Sequence, residues 1–514
     1  MRNKIFIALA LSLVCATSCK RFLDLPPKNK QTVISIKNIE ALLASQLRGY
    51  TERYIKPLYG EVTPACPVQA MMMFEAYSDN IDFEEALPMY LLSTNRYITT
   101  EVGYANLLLW NQHTTSEMLW KHHYSIVGFM NSLIDQMDEI DDATPAQRDQ
   151  VLGEMYAMRA FSLFKLQQYF APYDKAEMGI PVYLHTGKGV LGVKMPRLTH
   201  AEVYKIILED LGKALEYVTR TAPRSGYNVL YNERYLNHLI AQVYWFKAES
   251  PAKEEGDYEK VKTHSLKAIE NLDAVIPKTA AARITAYGGA DPNYPAVVQE
   301  NNQQGGMSGI YGSEFQYLSE TQYTPSKIPL KKDFADLFVP TDIRIENYFN
   351  TNPARADGRV GTEGRVLNWA WPCDGTTMGN TKRAKIVMFK PEEAYLMLAE
   401  AQFRTNSPDQ AVATLNKFKG FRNAGTVSGT TGDALLQEII DERRRELFGD
   451  TDKRWLDLKR YGRKTITRNL TFFGDVYNIT VEPNDFRYAL PIPLSEIQDN
   501  NNIKPNPGWQ ILEF

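Results

Sequence analysis

Apolar residues spaced for one side of a helix recur along this chain, and that period constrains the fold more than any other feature. Trp120, Tyr124, Val127 and Ile134 fall at i, i+4, i+7 and i+14, which predicts a helix over residues 116–137. Thr144-Pro145 opens a second. Threonine caps it, and proline suits the first turn because its missing N–H would find no partner there. That helix carries Ala160 and Phe164 and runs to about Phe170, short of Pro172. Thr199 caps a third, with Val203, Ile206, Ile207, Leu211, Ala214 and Leu215, and a fourth covers 232–248.

Two further stretches, Gly256–Ile269 and Glu392–Phe418, look like parts of tetratricopeptide (TPR) units. Small residues recur where paired helices must approach closely, and in the second stretch a turn separates the two members. The chain therefore reads as mainly α: several degenerate TPR-like helix pairs, their spacing broken by insertions. The scaffold is expected mainly in 32–60, 113–276 and 390–514. Two stretches lack the helical period. Residues 61–112 mix prolines, methionines and aromatics. Residues 277–389 are long, and Pro277–Arg383 within them is rich in Gly, Asn, Gln and Tyr. So much irregular sequence in a helical protein marks function or disorder, and its aromatic content argues against disorder. A loop-rich lobe carried on the scaffold is expected there.

At the N-terminus Arg2 and Lys4 precede an apolar run, Ile5 to Val14, too short to span a bilayer. Residues 1–18 read as a secretory signal. Ala16-Thr17-Ser18 before Cys19 resembles the lipobox of bacterial lipoproteins, in which the cysteine is lipidated and becomes the first mature residue. The alternative is an ordinary cleaved signal with a structural Cys19. Residues 19–31, with Pro26-Pro27, then form anchor and tether. The chain's formal charge of −3 becomes −5 once Arg2 and Lys4 leave, so no global positive field invites a nucleic acid. Cys66 and Cys373 remain, and two cysteines so far apart do not form a zinc site. Whether they pair is open.

No catalytic constellation is visible. Gly187-Lys-Gly-Val-Leu-Gly192 matches G-x-G-x-x-G, but Pro196 and the cap at Thr199 delay the next helix, so it does not fit a dinucleotide site. His122 and His123 are adjacent on a helix, point different ways and lack a histidine one turn away. Glu84-Glu85 and Asp138–Asp142 read as solvated acids or caps rather than as a glycosidase pair. No cofactor, metal or catalytic residue is expected. An anchored helical protein with aromatic, amide-rich loops reads as a binder of neutral sugars or peptides.

Residues 442–462 raise the one contrary possibility. Seven Lys or Arg lie there with Trp455 and Tyr461, a composition that suits nucleic acid. Five acids (Glu442, Glu446, Asp450, Asp452 and Asp457) reduce its net charge to +2. Leu435, Leu436, Ile439, Ile440, Arg443 and Leu447 share a helical face that stops at Gly449, and Thr451 can cap a following helix. The stretch reads as a clasp of Arg–carboxylate pairs between helices.

In order along the chain come Phe22-Leu-Asp-Leu-Pro26, Trp120-x-x-x-Tyr124-x-x-Ile-Val with Asn131-x-Leu-Ile134, and Arg159-Ala-Phe-x-x-Phe-x-Leu-x-x-x-Phe170. Pro172-Tyr173, Gly179-Ile-Pro-Val182, Glu393-Ala-Tyr-Leu-Met-Leu-Ala-Glu-Ala401, the 442–462 stretch, Ala489-Leu-Pro-Ile-Pro493 and Asn506-Pro-Gly-Trp509 follow. This series resembles the SusD/RagB family, outer-membrane nutrient-binding lipoproteins of Bacteroidetes. The resemblance implies about four TPR units, an irregular lobe holding the ligand site, and a SusC-like TonB-dependent barrel as partner. It implies a lipid anchor at Cys19 in the outer membrane, facing the cell exterior, although Lys20-Arg21 stand where surface-exposed lipoproteins often carry acids. Oligosaccharide capture for import is the implied role; the same role for peptides, as in RagB-type members, is the alternative, and a lipid-anchored glycan hydrolase a remote one. Ligand contact is expected from Tyr77, Asp79, Asn80 and Trp110 in the first irregular stretch, and from Tyr287, Tyr294, Tyr311, Tyr317 and Trp369 in the second.

Overall fold

The computed structural model describes residues 35–51, 73–93, 98–111, 113–187, 192–222, 232–287, 297–304, 329–349, 383–450 and 452–509. Thirteen described helices carry labels here, in chain order: α1 Ile36–Thr51, α2 Phe83–Ser93, α3 Ile98–Leu108, α4 His113–Gln136, α5 Pro145–Phe170, α6 His200–Val218 and α7 Glu233–Lys247, then α8 Asp257–Ala268, α9 Ala280–Tyr287, α10 Glu393–Arg404, α11 Pro408–Gly420, α12 Gly432–Glu446 and α13 Lys453–Tyr461. Two antiparallel pairs accompany them: β1 Val297–Gln304 with β2 Arg383–Phe389, and β3 Ile466–Phe472 with β4 Asp475–Val481.

The helix starts are chemical. Thr144 Oγ1 accepts from Gln147 N (3.3 Å) while Gln147 Oε1 accepts from Thr144 N (3.2 Å), a reciprocal capping box. Thr199 and Glu202 repeat it at α6, and Asn232 Oδ1 accepts from Tyr235 N (2.8 Å) at α7. The expected helices thus lie within a few residues of the observed ones. The glycine-rich stretch at 187–192 is followed by a helix only at His200, as its proline implied.

Helix pairs build the body. α5 lies so close to α6 that a Cβ on Gly153 would sit 2.8 Å from Val218 Cγ2. α7 packs on α8, α10 on α11, and α8 packs in turn on α10, so one pair stacks on the next as in helical-repeat scaffolds. One apolar core runs from Ile36 through the helices to Ile503, and a smaller one joins α10, α11 and α12 around Leu396, Leu415 and Ile439. Ties distant in sequence lock the pairs together. Arg159 forks onto Asp210 (2.7 and 2.8 Å) and reaches Asn131 Oδ1 (2.9 Å), whose amide donates to Tyr183 O (2.7 Å). Asn506 Nδ2 donates to Phe170 O and Leu490 O, fastening the C-terminal segment to the end of α5.

The first irregular stretch departs from expectation, because α2 and α3 lie within it. Phe83, Ala86, Leu87, Tyr104, Ala105, Leu107 and Leu108 are buried, but each helix is only 11 residues long, neither sequence carries a clear apolar stripe, and α2 contains Pro88. Without a stripe the helical period is invisible. β3–β4 is a second departure, a hairpin inside the C-terminal scaffold.

Candidate functional site

The basic stretch comes first, because it supports everything around it. α12 and α13 bury all three consecutive arginines. Arg443 donates to Asp457 Oδ1 and Glu393 Oε1 (3.0 Å each), with its guanidinium 4.2 Å from the Trp245 ring centre. Arg445 reaches Glu442 (2.8 Å), Glu438 (2.8 Å) and Leu337 O (2.9 Å). Arg460 lies 3.5 Å above Trp245 and pairs with Glu400 (3.0 Å). Burial opposes charge on Glu400, but Arg460 and Arg404 bring its pKa down to about 2. The clasp expected at 442–462 is therefore present. Thr451 lies outside the described residues, and α13 opens with Asp452 at its N-cap position.

Arg444 turns the other way and meets Asn80 Oδ1 (3.0 Å) and Asp79 O (2.7 Å). Asp79 is gripped by Arg454 at both oxygens (2.6 and 2.8 Å) and by Lys464 (2.6 Å). Burial would raise its carboxyl, yet Arg444, Arg454 and Lys464 hold it well below the usual range. Asn80 Nδ2 donates to Glu75 Oε1 (3.1 Å). Burial, with the Asp79 charge adding to it, pushes Glu75 up to about 7.

Tyr77 stacks on Trp110 with ring centres 4.9 Å apart and planes 17° off parallel. Trp110 ends α3 in a Schellman-type loop: Asn111 N donates to Asn106 O (2.7 Å) and Trp110 N to Leu107 O (3.4 Å). The residue there must be left-handed, and Trp110 has φ +59° where glycine is the ordinary choice. A bulky side chain in that region costs about 1–2 kcal/mol. Such strain persists where surrounding structure enforces it, often at functional positions. Two guanidiniums face the Trp110 ring, Arg468 at 4.8 Å and Arg487 at 5.7 Å. Arg468 lies on the inward phase of β3, which it shares with Ile466, Leu470 and Phe472. It donates to Ser78 O, while its Nη1 is buried without a partner among the described residues. Burial lowers its pKa to about 10.

The structure thus brings Tyr77, Asp79, Asn80 and Trp110 together, in the interior, where Asp79 and Asn80 are consumed by internal ion pairs and hydrogen bonds. Tyr287 stands apart, also buried, with its hydroxyl 2.6 Å from Glu392 Oε1 in the network around Glu446. These five residues build and brace the body of the protein. Tyr294, Tyr311, Tyr317, Trp369, Cys19, Cys66 and Cys373 lie outside the described residues. Arg468 and Arg487 were missed by sequence reasoning. A charged residue on the buried phase of an alternating strand, Ile466-x-Arg468-x-Leu470, was the available signal. Among the described residues no three His, Cys, Asp or Glu converge as metal ligands would, and no helix is long and apolar enough to cross a membrane. His123 is buried and held neutral by desolvation.

Comparison with known proteins follows the same lines. Residues 346–509 match the model of the SusD family, and residues 21–244 match one described as starch-binding associating with outer membrane. The SusD-like protein P25 of Formosa agariphila is 22% identical over 419 residues, covering 74% of this chain and 76% of its own. A putative sugar binding protein from Bacteroides vulgatus superposes with TM-score 0.67 at 21% identity, over 94% of this chain and 100% of that one. A laminarin binding SusD-like protein superposes with TM-score 0.60 at 16% identity, over 92% and 99%.

Proposed function

We propose, because the chain belongs to the SusD/RagB family, that it captures an oligosaccharide at the outer membrane without cleaving it and passes it to a SusC-like TonB-dependent barrel. The observation that carries this reading is the match of residues 21–244 to a family described as starch-binding associating with outer membrane; the buried Tyr77–Trp110 stack is a support of the site rather than its face. A tryptophan is kept in a backbone conformation suited to glycine, faced by two guanidiniums, one with a buried donor to spare. Aromatic faces with a few fixed polar groups are the chemistry of sugar recognition. The starch-binding description of the matched family model and the laminarin binding neighbour support a glycan as the ligand class. Tyr294, Tyr311, Tyr317 and Trp369 are the ligand contacts in this reading.

A non-catalytic role is supported by the use already made of the acids. Glu84 accepts from Asn469 N and Lys331, and Asp138 from Arg148. Anchoring through Cys19, facing the cell exterior, completes the proposal. Calorimetry of the chain lacking residues 1–19 against maltoheptaose, laminariheptaose and a set of peptides tests it. Glycan binding weakened about tenfold or more by Tyr311→Ala or Trp369→Ala, in variants with unchanged circular dichroism, is expected. Peptide binding alone would replace the glycan with the alternative, and steady release of shorter sugars would overturn the non-catalytic claim. Co-purification of a large barrel from mild detergent tests the partner, and its repeated absence counts against it.

A further inference from the structure

A cleft of about 500 Å³, open solvent included, lies where the end of α5 meets the turn at 484–488. Phe486 forms one wall and is 38% exposed. Its ring is fixed: Trp509 meets it edge-on at 5.5 Å, and it rests against Gly508 so closely that a Cβ there would sit 2.6 Å from the ring. Gly508, at φ +87°, is needed for both reasons. Tyr173 lines the same cleft with its hydroxyl committed to Phe246 O (3.1 Å), which leaves the ring as its contribution.

Polar groups with unused capacity surround these rings. The Lys459 ammonium is buried on the carbonyls of Gln168 (2.6 Å) and Ala171 (2.8 Å) at the end of α5, which uses two of its three protons. The Tyr488 hydroxyl is buried without a partner among the described residues. Asn484 stands at φ +63°, its Oδ1 over Gly462, and Asp174 is exposed, paired among the described residues with its neighbour Lys175. Asp485, by contrast, is taken up by Arg487 at both oxygens. A fixed aromatic face ringed by an amide, a carboxylate, a phenol and an ammonium suits the alternating CH and OH surface of a sugar ring. The exposed Asp174 carboxylate in the lining disfavours an anionic one.

The cleft also adjoins the Trp110 stack. One guanidinium, that of Arg487, lies 5.3 Å from the Phe486 ring and 5.7 Å from the Trp110 ring. We propose that this cleft is a separate sugar site that seats a single neutral pyranose on Phe486, with Asn484 and Asp174 holding its hydroxyls. The inference rests on the reading that the ligand is a glycan.

The test uses the full-length chain in detergent micelles and saturation-transfer NMR with methyl β-glucoside, methyl β-galactoside, methyl α-mannoside and methyl β-glucuronide. Maltoheptaose and laminariheptaose binding is measured on the same sample. Saturation of ring protons of at least one neutral glycoside is expected. It falls about tenfold in Phe486→Ala and weakens in Asn484→Ala. Phe486 is half-exposed and Asn484 exposed, so neither change should unfold the chain, and circular dichroism checks this. Heptasaccharide binding without any monosaccharide signal overturns the cleft and leaves the glycan reading standing. Failure of every sugar overturns both. A signal that survives Phe486→Ala, or one from the glucuronide alone, overturns the cleft.

Discussion

Replacing Glu75 by glutamine should make this protein more stable at pH 8 and change it little at pH 5. Glu75 is 2% exposed and sits one turn from Asp79. Its Oε1 accepts one hydrogen bond from Asn80, which favours the charged form, but burial and the Asp79 charge outweigh that and the more distant Arg444. The carboxyl moves from its ordinary 4.5 to about 7. At about 1.4 kcal/mol per pH unit, a rise of that size corresponds to roughly 3 kcal/mol.

The sign follows from where the proton is held more tightly. The folded state keeps it up to about pH 7, whereas the unfolded chain releases it near 4.5. The group's contribution is therefore complete below 4.5, declines as pH rises, and is lost above about 7. Glutamine keeps the acceptor for Asn80 and cannot ionise. Urea unfolding followed by tryptophan fluorescence, at pH 5 and pH 8, gives the separation of wild-type and variant midpoints at each pH. Subtracting the two separations removes the titrating groups that do not interact with Glu75, and Asp79, which does, stays ionised at both pH values. A gain of roughly 2–3 kcal/mol at pH 8 relative to pH 5 is expected. Equal separations at both pH values, or a variant weaker at pH 8, would refute the argument.

Glu446 is the shared anion of Arg422 (2.8 and 3.0 Å), Arg344 (3.2 Å) and Arg283 (3.3 Å), all fully buried. Glu446→Gln removes the charge these cations share, and although Arg344 keeps Asp342 and Glu442 and Arg422 keeps Glu392, it should cost about 3 kcal/mol; an unchanged urea midpoint would contradict the network. Phe473 (φ +53°) and Gly474 (φ +94°) form the two-residue loop of the β3–β4 hairpin, and such loops favour Asn-Gly. Phe473→Asn keeps the backbone N–H to Glu101 and should raise stability by about 1 kcal/mol in the same assay, so a loss would show that the ring matters more than the turn.

Long helices with caps were legible because cap and stripe are local. Thr144-Pro145 and Thr199 set the starts of α5 and α6, and the paired helices at 233–268 and 393–420 announced themselves by period and small residues. Short helices without a clear apolar stripe were not legible, as with the 11-residue α2 and α3. Tyr77, Asp79, Asn80 and Trp110 do gather in space, yet their composition gave no sign that they gather inside. Whether an aspartate faces a ligand or two arginines depends on Arg444 and Arg454, which lie some 370 residues further along the chain. The left-handed backbone of Trp110 leaves no trace in sequence either, because that position normally declares itself by a glycine.

The three adjacent arginines show why composition misleads in this fold. Successive residues on a helix point about 100° apart, so Arg443, Arg444 and Arg445 must address three different neighbours. Arg443 takes α13 and α10 through Asp457 and Glu393. Arg444 takes the Asp79–Asn80 turn, and Arg445 holds Leu337 O and the acids of its own helix. A polyanion surface needs its guanidiniums in water, whereas these are spent before any ligand arrives. The run therefore acts as a hub that sets Asp79, and with it the turn carrying Tyr77, against the hairpin carrying Arg468. Substitutions there will disturb the Trp110 stack by moving its supports, so a loss of binding in an Arg444 variant reports on the fold before it reports on contact with ligand.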